Sequence, residues 1–203
     1  MIRPKTETKG SPMDEFTSSP RERLIWPFMA PFYHYFAQPV GWALFRVLIG
    51  GLLMVEGWPK IIAPMAQVGF VENVMGWPAG WFFSPLLAIM QFVGGFLIAI
   101  GLLTRPVALA NAVMLAITIW FHVSNPYGPV FLTDDGMTFL RDNLQYLTEE
   151  GQRRLLADGG AGFLHQVQAK AVFNSSFWTA GAALVAAFGG GRLSADRLLG
   201  KEF

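Results

Sequence analysis

Five residues of this 203-residue chain place an ionisable or amide side chain inside, or at the end of, an apolar stretch: Arg46, Glu56, Gln91, Asn111 and His122. An arginine at the centre of a membrane helix costs about 2.5 to 3.5 kcal/mol on insertion scales, and intramembrane charge marks a functional site by default. Arg46 stands about 10 Å below the start of its helix at a rise of about 1.5 Å per residue, within reach of snorkelling. Asn111 is expected at a similar depth and Gln91 one or two turns further in. Together they would form a polar cluster for a quinone head group or an ion, Arg46 supplying charge and the two amides supplying donors and acceptors. The alternative is structural, an arginine neutralised by helix partners and two amides acting as bundle glue. On sequence alone both stand.

A second group is expected at the opposite surface. Glu56 ends the first apolar helix and His122 the third, with Trp58, Lys60 and Trp77 in the connection between. A carboxylate and an imidazole beside aromatic rings suit proton-coupled reduction of a quinone, because reduction of the ring oxygens takes up protons. The alternative is an interfacial pair facing headgroups and water.

These residues need helices to hold them, and the composition is that of a membrane protein. The chain is 53% hydrophobic and 14% charged, where about 25% charged is usual for soluble domains. A bilayer core of about 30 Å needs about 20 apolar residues in helical form. Four stretches meet that need, at about 39–57, 81–103, 106–123 and 171–190. The expected fold is therefore an all-α integral membrane protein, a four-transmembrane-helix bundle spanning 39–199. Before it come a flexible polar tail (1–24) and an aromatic, proline-broken interfacial segment (25–38) too interrupted to span. A long polar outer loop (124–170) carries short surface helices, Thr104, Arg105 and Pro106 make the tight turn between the second and third spans, and Ser194 is placed to cap a short last helix before a C-terminal tail (200–203).

The polar first twenty residues lack the apolar centre of a signal peptide, so the helices are expected to do their own targeting. Four spans put both termini on one side. That side holds nine Lys and Arg against six acids, the other five against eight; with Arg46 in the membrane this accounts for all 15 basic and 14 acidic residues. The bias places both termini in the cytoplasm.

Several chemistries are excluded. The absence of cysteine removes dithiol redox, disulfides and thiolate metal sites. His34, His122 and His165 cannot face one another in pairs across the bilayer interior, which rules out bis-histidine haem ligation. Basic residues form no stripe, so nucleic acid is not a partner. No covalent cofactor or metal is expected.

The order of residues resembles the DoxX family of small four-helix membrane proteins. The resemblance rests on RVLIGGLLMVEGWPKI with Arg46, Gly50, Gly57 and Lys60, on QFVGGFLIAIGLLTRPVALANAVMLAITIWFHV with Gly94, Gly95, Gly101, Thr104, Arg105 and His122, and on GGGRLSAD with Gly191, Ser194 and Asp196. It implies a four-helix bundle in a bacterial or archaeal cytoplasmic membrane, in a family linked to redox processes that includes a thiosulfate:quinone oxidoreductase subunit. Relatives usually carry Glu where this chain has Gln91, and often His where it has Glu56. The function implied is a quinone-associated subunit of a membrane redox system, partnered by the lipid bilayer and by other redox subunits. The alternative is a non-catalytic accessory subunit that meets a larger complex through its outer loop.

Overall fold

A computed structural model describes residues 24–124, 134–158 and 161–201. It is all-helical over these residues, and four of its helices are long and apolar enough to cross a membrane: α1 (Pro27–Ile62), α2 (Gly80–Ile100), α3 (Thr104–Ser124) and α6 (Ala161–Phe188). Between α3 and α6 lie two short helices, α4 (Asp134–Asp142) and α5 (Glu149–Ala157), and a last short helix, α7 (Ala195–Leu198), closes the chain.

The helix boundaries depart from the expected ones in three places, each for a local reason. The aromatic segment before residue 39 does not interrupt α1. A turn of wider π geometry at Tyr33–Ala37 runs directly into Gln38, which relieves the clash that Pro39 would make with the preceding turn. Helix α1 also continues through Pro59 to Ile62 instead of stopping at Gly57. At about 1.5 Å per residue its 36 residues are nearly twice the length a bilayer core needs.

The second departure is the turn between α2 and α3. It falls at 101–103, three residues before the expected Thr104–Pro106, because Gly101 (φ 74°) and Leu103 (φ 50°) take the left-handed conformation that ends α2. Thr104 then opens α3, and Pro106 sits in its first turn, where the missing N–H has no partner to lose. Third, α6 begins at Ala161, ten residues earlier than the charge of Lys170 suggested. Nothing in 163–170 breaks a helix, and a lysine near the end can reach the interface.

Helix α1 packs along α2, and α3 along α6. The core between the pairs is Ile49, Leu53, Ile98, Ala108, Ala112, Leu115, Ala182 and Val185. Apolar side chains such as Leu44, Phe96, Leu109, Phe173 and Phe177 point outward, the arrangement expected where lipid replaces water. Exposed Trp58, Trp81 and Trp120 all lie at one end of the bundle, the end where α1 and α3 finish and α2 begins, and form an aromatic girdle there.

Outside the bundle, α5 is capped by Thr148, whose hydroxyl accepts from Gly151 N, and rests on α6 through buried Leu155 and a hydrogen bond from Arg154 to Gln166 of 2.5 Å. The hydrogen bond from Arg154, with the charges of Arg153 and Arg154, holds the Glu150 carboxyl below its usual range. This exposed triad therefore stays charged into mildly acid solution.

Candidate functional site

The two ends of the bundle are built differently. At the end opposite the tryptophan girdle, α6 finishes at Phe188 and leaves backbone carbonyls without helical partners. Helix α1 supplies the donors. Trp42 Nε1 donates to Gly189 O at 3.0 Å, and Arg46 donates through Nη1 to Gly190 O and through Nη2 to Leu193 O at 2.7 Å. A cation at a helix C-terminus is also favoured by the helix dipole.

The tail past Gly190 then folds back so that Asp196, 3% exposed, reaches the start of α3. Its carboxylate accepts from Leu103 N (2.8 Å), Thr104 N (3.0 Å) and Thr104 Oγ1 (2.6 Å), while its own N–H donates to Gly101 O at 2.8 Å. Asp196 is thus the N-cap of α3, delivered from more than ninety residues away, and it interacts electrostatically with Arg46. Ser194 caps α7, accepting from Arg197 N. We describe this assembly as the C-terminal latch.

The expected cluster of Arg46, Gln91 and Asn111 does not form. Arg46 stands level with Gly101, where an added Cβ would run into its guanidinium. Gly101 is ten residues beyond Gln91 in the chain, about 15 Å along the helix axis, further than the one or two turns expected. Asn111 lies elsewhere again: it is 1% exposed, donates to Val107 O at 3.0 Å, and presses its amide against Gly94, where a Cβ would come within 2.7 Å. Arg46 and Asn111 therefore hold helix ends and helix spacing together.

Gln91 instead joins the second group. A cavity of about 650 Å³ occupies the girdle half of the bundle, and Glu56, Lys60, Gln91 and His122 all line it, with Trp77. Trp58 does not; it is exposed and packs at a tilt beside Phe92, with ring centroids 5.6 Å apart. The walls are apolar and aromatic, with Phe83 and Leu87 from α2, Phe121 from α3 and Trp178 from α6. Gln91 is 8% exposed, and its Oε1 has no hydrogen-bond partner among the described residues. Lys60 Nζ donates to Glu56 O at 2.9 Å, and Gln168 of α6 donates to the carbonyl of His122, tying α6 to the end of α3.

The connection 63–79 forms a roof. Ser84, buried on α2, donates to Pro64 O at 2.5 Å and accepts from Gln67 N at 3.2 Å, and Glu72 accepts from Gly80 N at 2.9 Å. Phe70 packs edge-on against Phe121, with centroids 5.3 Å apart. Sequence reading missed Gln67 and Ser84, and it named Asp196 only as part of the GGGRLSAD motif, with no role. The first two sit in or beside a Pro- and Gly-rich connection with no repeated spacing, and Asp196 sits in a polar tail that gives no sign of where it folds.

This arrangement can hold an amphiphilic ring: polar groups at the girdle end and at Gln91 in the middle of α2, apolar walls around them, and space in the range of small-molecule pockets, about 300 to 1,000 Å³. No group of three or more His, Asp or Glu among the described residues is placed to hold a metal ion.

Comparison with known proteins adds the following. Residues 41–123 match the model of the DoxX family. The chain is 34% identical over 88 residues to the "Inner membrane protein YqjF" of Escherichia coli (strain K12), an alignment that covers 43% of this chain and 65% of that relative, just under two thirds of its length. No solved structure matches the chain. The family match spans every residue lining the cavity except Ser175 and Trp178; of the latch it covers Trp42, Arg46 and Gly101 to Thr104 but not the C-terminal residues from Gly189 to Asp196.

Proposed function

We propose that this membrane protein of several spans, whose residues 41–123 match the model of the DoxX family, binds a quinone head group as a subunit of a redox system in a bacterial or archaeal cytoplasmic membrane. The name of its E. coli relative, an inner membrane protein, supports the membrane assigned, and the Lys and Arg bias supports cytoplasmic termini, which turns the cavity toward the outer leaflet. Fusions at the C-terminus test that orientation. Green fluorescent protein is expected to fluoresce there and alkaline phosphatase to stay inactive; the reverse would invert the topology.

The observation that carries the proposal is the buried amide of Gln91 in an apolar cavity shared with Lys60, Glu56 and His122. A quinone presents carbonyl acceptors; after gaining two electrons and two protons it presents hydroxyl donors. An amide serves both states, because its NH2 donates to the carbonyl and its oxygen accepts from the hydroxyl. Lys60 adds a charged donor, and His122 and Glu56 are groups able to pass protons. The electrons come from a reduced partner subunit or a small donor outside the chain.

Quinones quench tryptophan fluorescence on contact, and Trp77 and Trp178 line the cavity. Gln91→Leu keeps the volume and removes the amide, and His122→Phe does the same for the imidazole. Loss of one hydrogen bond is worth about 1 to 1.5 kcal/mol, so each change is expected to weaken quinone binding roughly tenfold, with less quinone retained on purification. Unchanged quenching and retention in the Gln91→Leu, His122→Phe double variant would overturn the reading and favour an accessory subunit without a ligand.

A further inference from the structure

Resting on the quinone reading, we infer that the ligand enters the cavity sideways from the bilayer, through an apolar portal between α2 and α3 at mid-membrane depth, and leaves its hydrocarbon tail in that portal. Leu86 and Met90 of α2 and Ala110, Val113 and Ile117 of α3 line the cavity, and none of the five is polar. Ala110 and Val113 are at the same time exposed on the outside of the bundle, Val113 by 54%. A residue that lines a cavity while facing outward marks where that cavity reaches the surface.

Depth identifies what covers the opening. Val113 is the tenth residue of the 21 in α3, and Met90 the eleventh of the 21 in α2. At about 1.5 Å per residue both lie roughly 15 Å from either helix end, the middle of a core of about 30 Å. Only hydrocarbon is present at that level. His122 lies nine residues beyond Val113 on the same helix, about 13 Å nearer the membrane surface. Gln91, next to Met90, stands at the portal's own level, so the occupant's ring lies between Gln91 and the girdle end and its apolar chain leaves sideways through the portal into the bilayer.

Exposed Glu56 also lines the cavity, so the cavity reaches the surface at the girdle end as well, beside a roof that is held in place. The roof formed by 63–79 is pinned by the Ser84 and Glu72 hydrogen bonds, and Phe70 closes on Phe121. A ligand dissolved in the membrane needs no opening there.

The test uses the full chain in lipid nanodiscs and two probes: a dimethoxy-methyl-benzoquinone carrying a ten-carbon alkyl tail, and the same ring without the tail. Val113→Trp fills the portal from its outer face, and Ala110→Leu narrows it with a smaller change. The tailed quinone is expected to bind at least tenfold more weakly to Val113→Trp and about threefold more weakly to Ala110→Leu, while binding of the tail-less ring stays within twofold. If the tailed quinone binds both variants as it binds the unaltered protein, the portal is a lipid-filled groove and the inference fails, although tail-less binding still upholds the head-group site. Equal weakening of both probes likewise overturns the portal, by showing a general change in the cavity. Failure of both probes to bind the unaltered protein overturns the head-group site and the portal together.

Discussion

Asp196→Ala is expected to destabilise the bundle by about 3 to 5 kcal/mol, the range seen when one member of a buried charged network is removed. The substitution strips three hydrogen bonds at once and leaves Leu103 N and Thr104 N without their partner at the start of α3. An unsatisfied buried donor costs about 1 to 3 kcal/mol by itself. Arg46, 3% exposed, would also lose the carboxylate with which it interacts. For a chain of this size the fall in melting temperature would be roughly 10 °C or more. Thermal unfolding in detergent followed by tryptophan fluorescence measures it. Asp196→Asn keeps an acceptor and the shape, and should fall between the two. A shift under about 2 °C for the alanine variant would mean that the latch is not what holds α3 to the tail.

Gly50→Ala is expected to be nearly as damaging although it adds one methyl group. The new Cβ would meet Gly95 O and lie 2.6 Å from Ala99 N, both backbone atoms of α2 that cannot rotate away. The reverse contact is as close, since a Cβ on Gly95 would lie 2.7 Å from Gly50 O. One turn pair further along, Gly57 sits with its missing side chain 2.6 Å from Phe92 N. Helices α1 and α2 thus touch backbone to backbone along a glycine face, the close approach that small residues permit in membranes. Overpacking costs typically 1 to 3 kcal/mol and more where backbone must shift, so about 3 kcal/mol is the expected loss. Gly51→Ala is the control. Nothing lies within 4 Å of its added Cβ, and alanine is the better helix former by about 0.5 to 1 kcal/mol, so that variant should be neutral or slightly stabilised. Comparable melting of the two variants would overturn the backbone-contact account.

The two variants also separate stability from ligand binding. The glycine face passes Gln91 at Gly57, so spreading α1 from α2 should disturb the cavity as well as the melting temperature. Loss of Asp196 acts at the far end, and a variant that still folds at low temperature should bind quinone normally.

The readable part of the candidate site was the part set by local chemistry. Glu56, Lys60, Trp77 and His122 stand at helix ends on the same side, and counting spans was enough to bring them to one surface; the structure places all four around one cavity. Arg46 was readable as a buried charge in need of partners, but not the partners themselves. They are two carbonyls past the end of α6 and a carboxylate in the tail, 144 to 150 residues along the chain. Gln91 and Asn111 looked alike as amides in neighbouring spans, yet one turned out to line the cavity and the other to face Gly94.

Sequence by itself determined the number of spanning helices and the class of the fold, because the bilayer demands about 20 apolar residues per crossing and that is a property of composition along the chain. It also determined that helices would approach closely wherever glycine recurs on a face. Only the tertiary structure decided which polar residue meets which. Partner choice in a bundle depends on helix rotation and on relative height, and an offset of a few residues carries a side chain to another level or another face. That offset is what separates Arg46, locked at one end by the tail, from Gln91, left facing the cavity at the other.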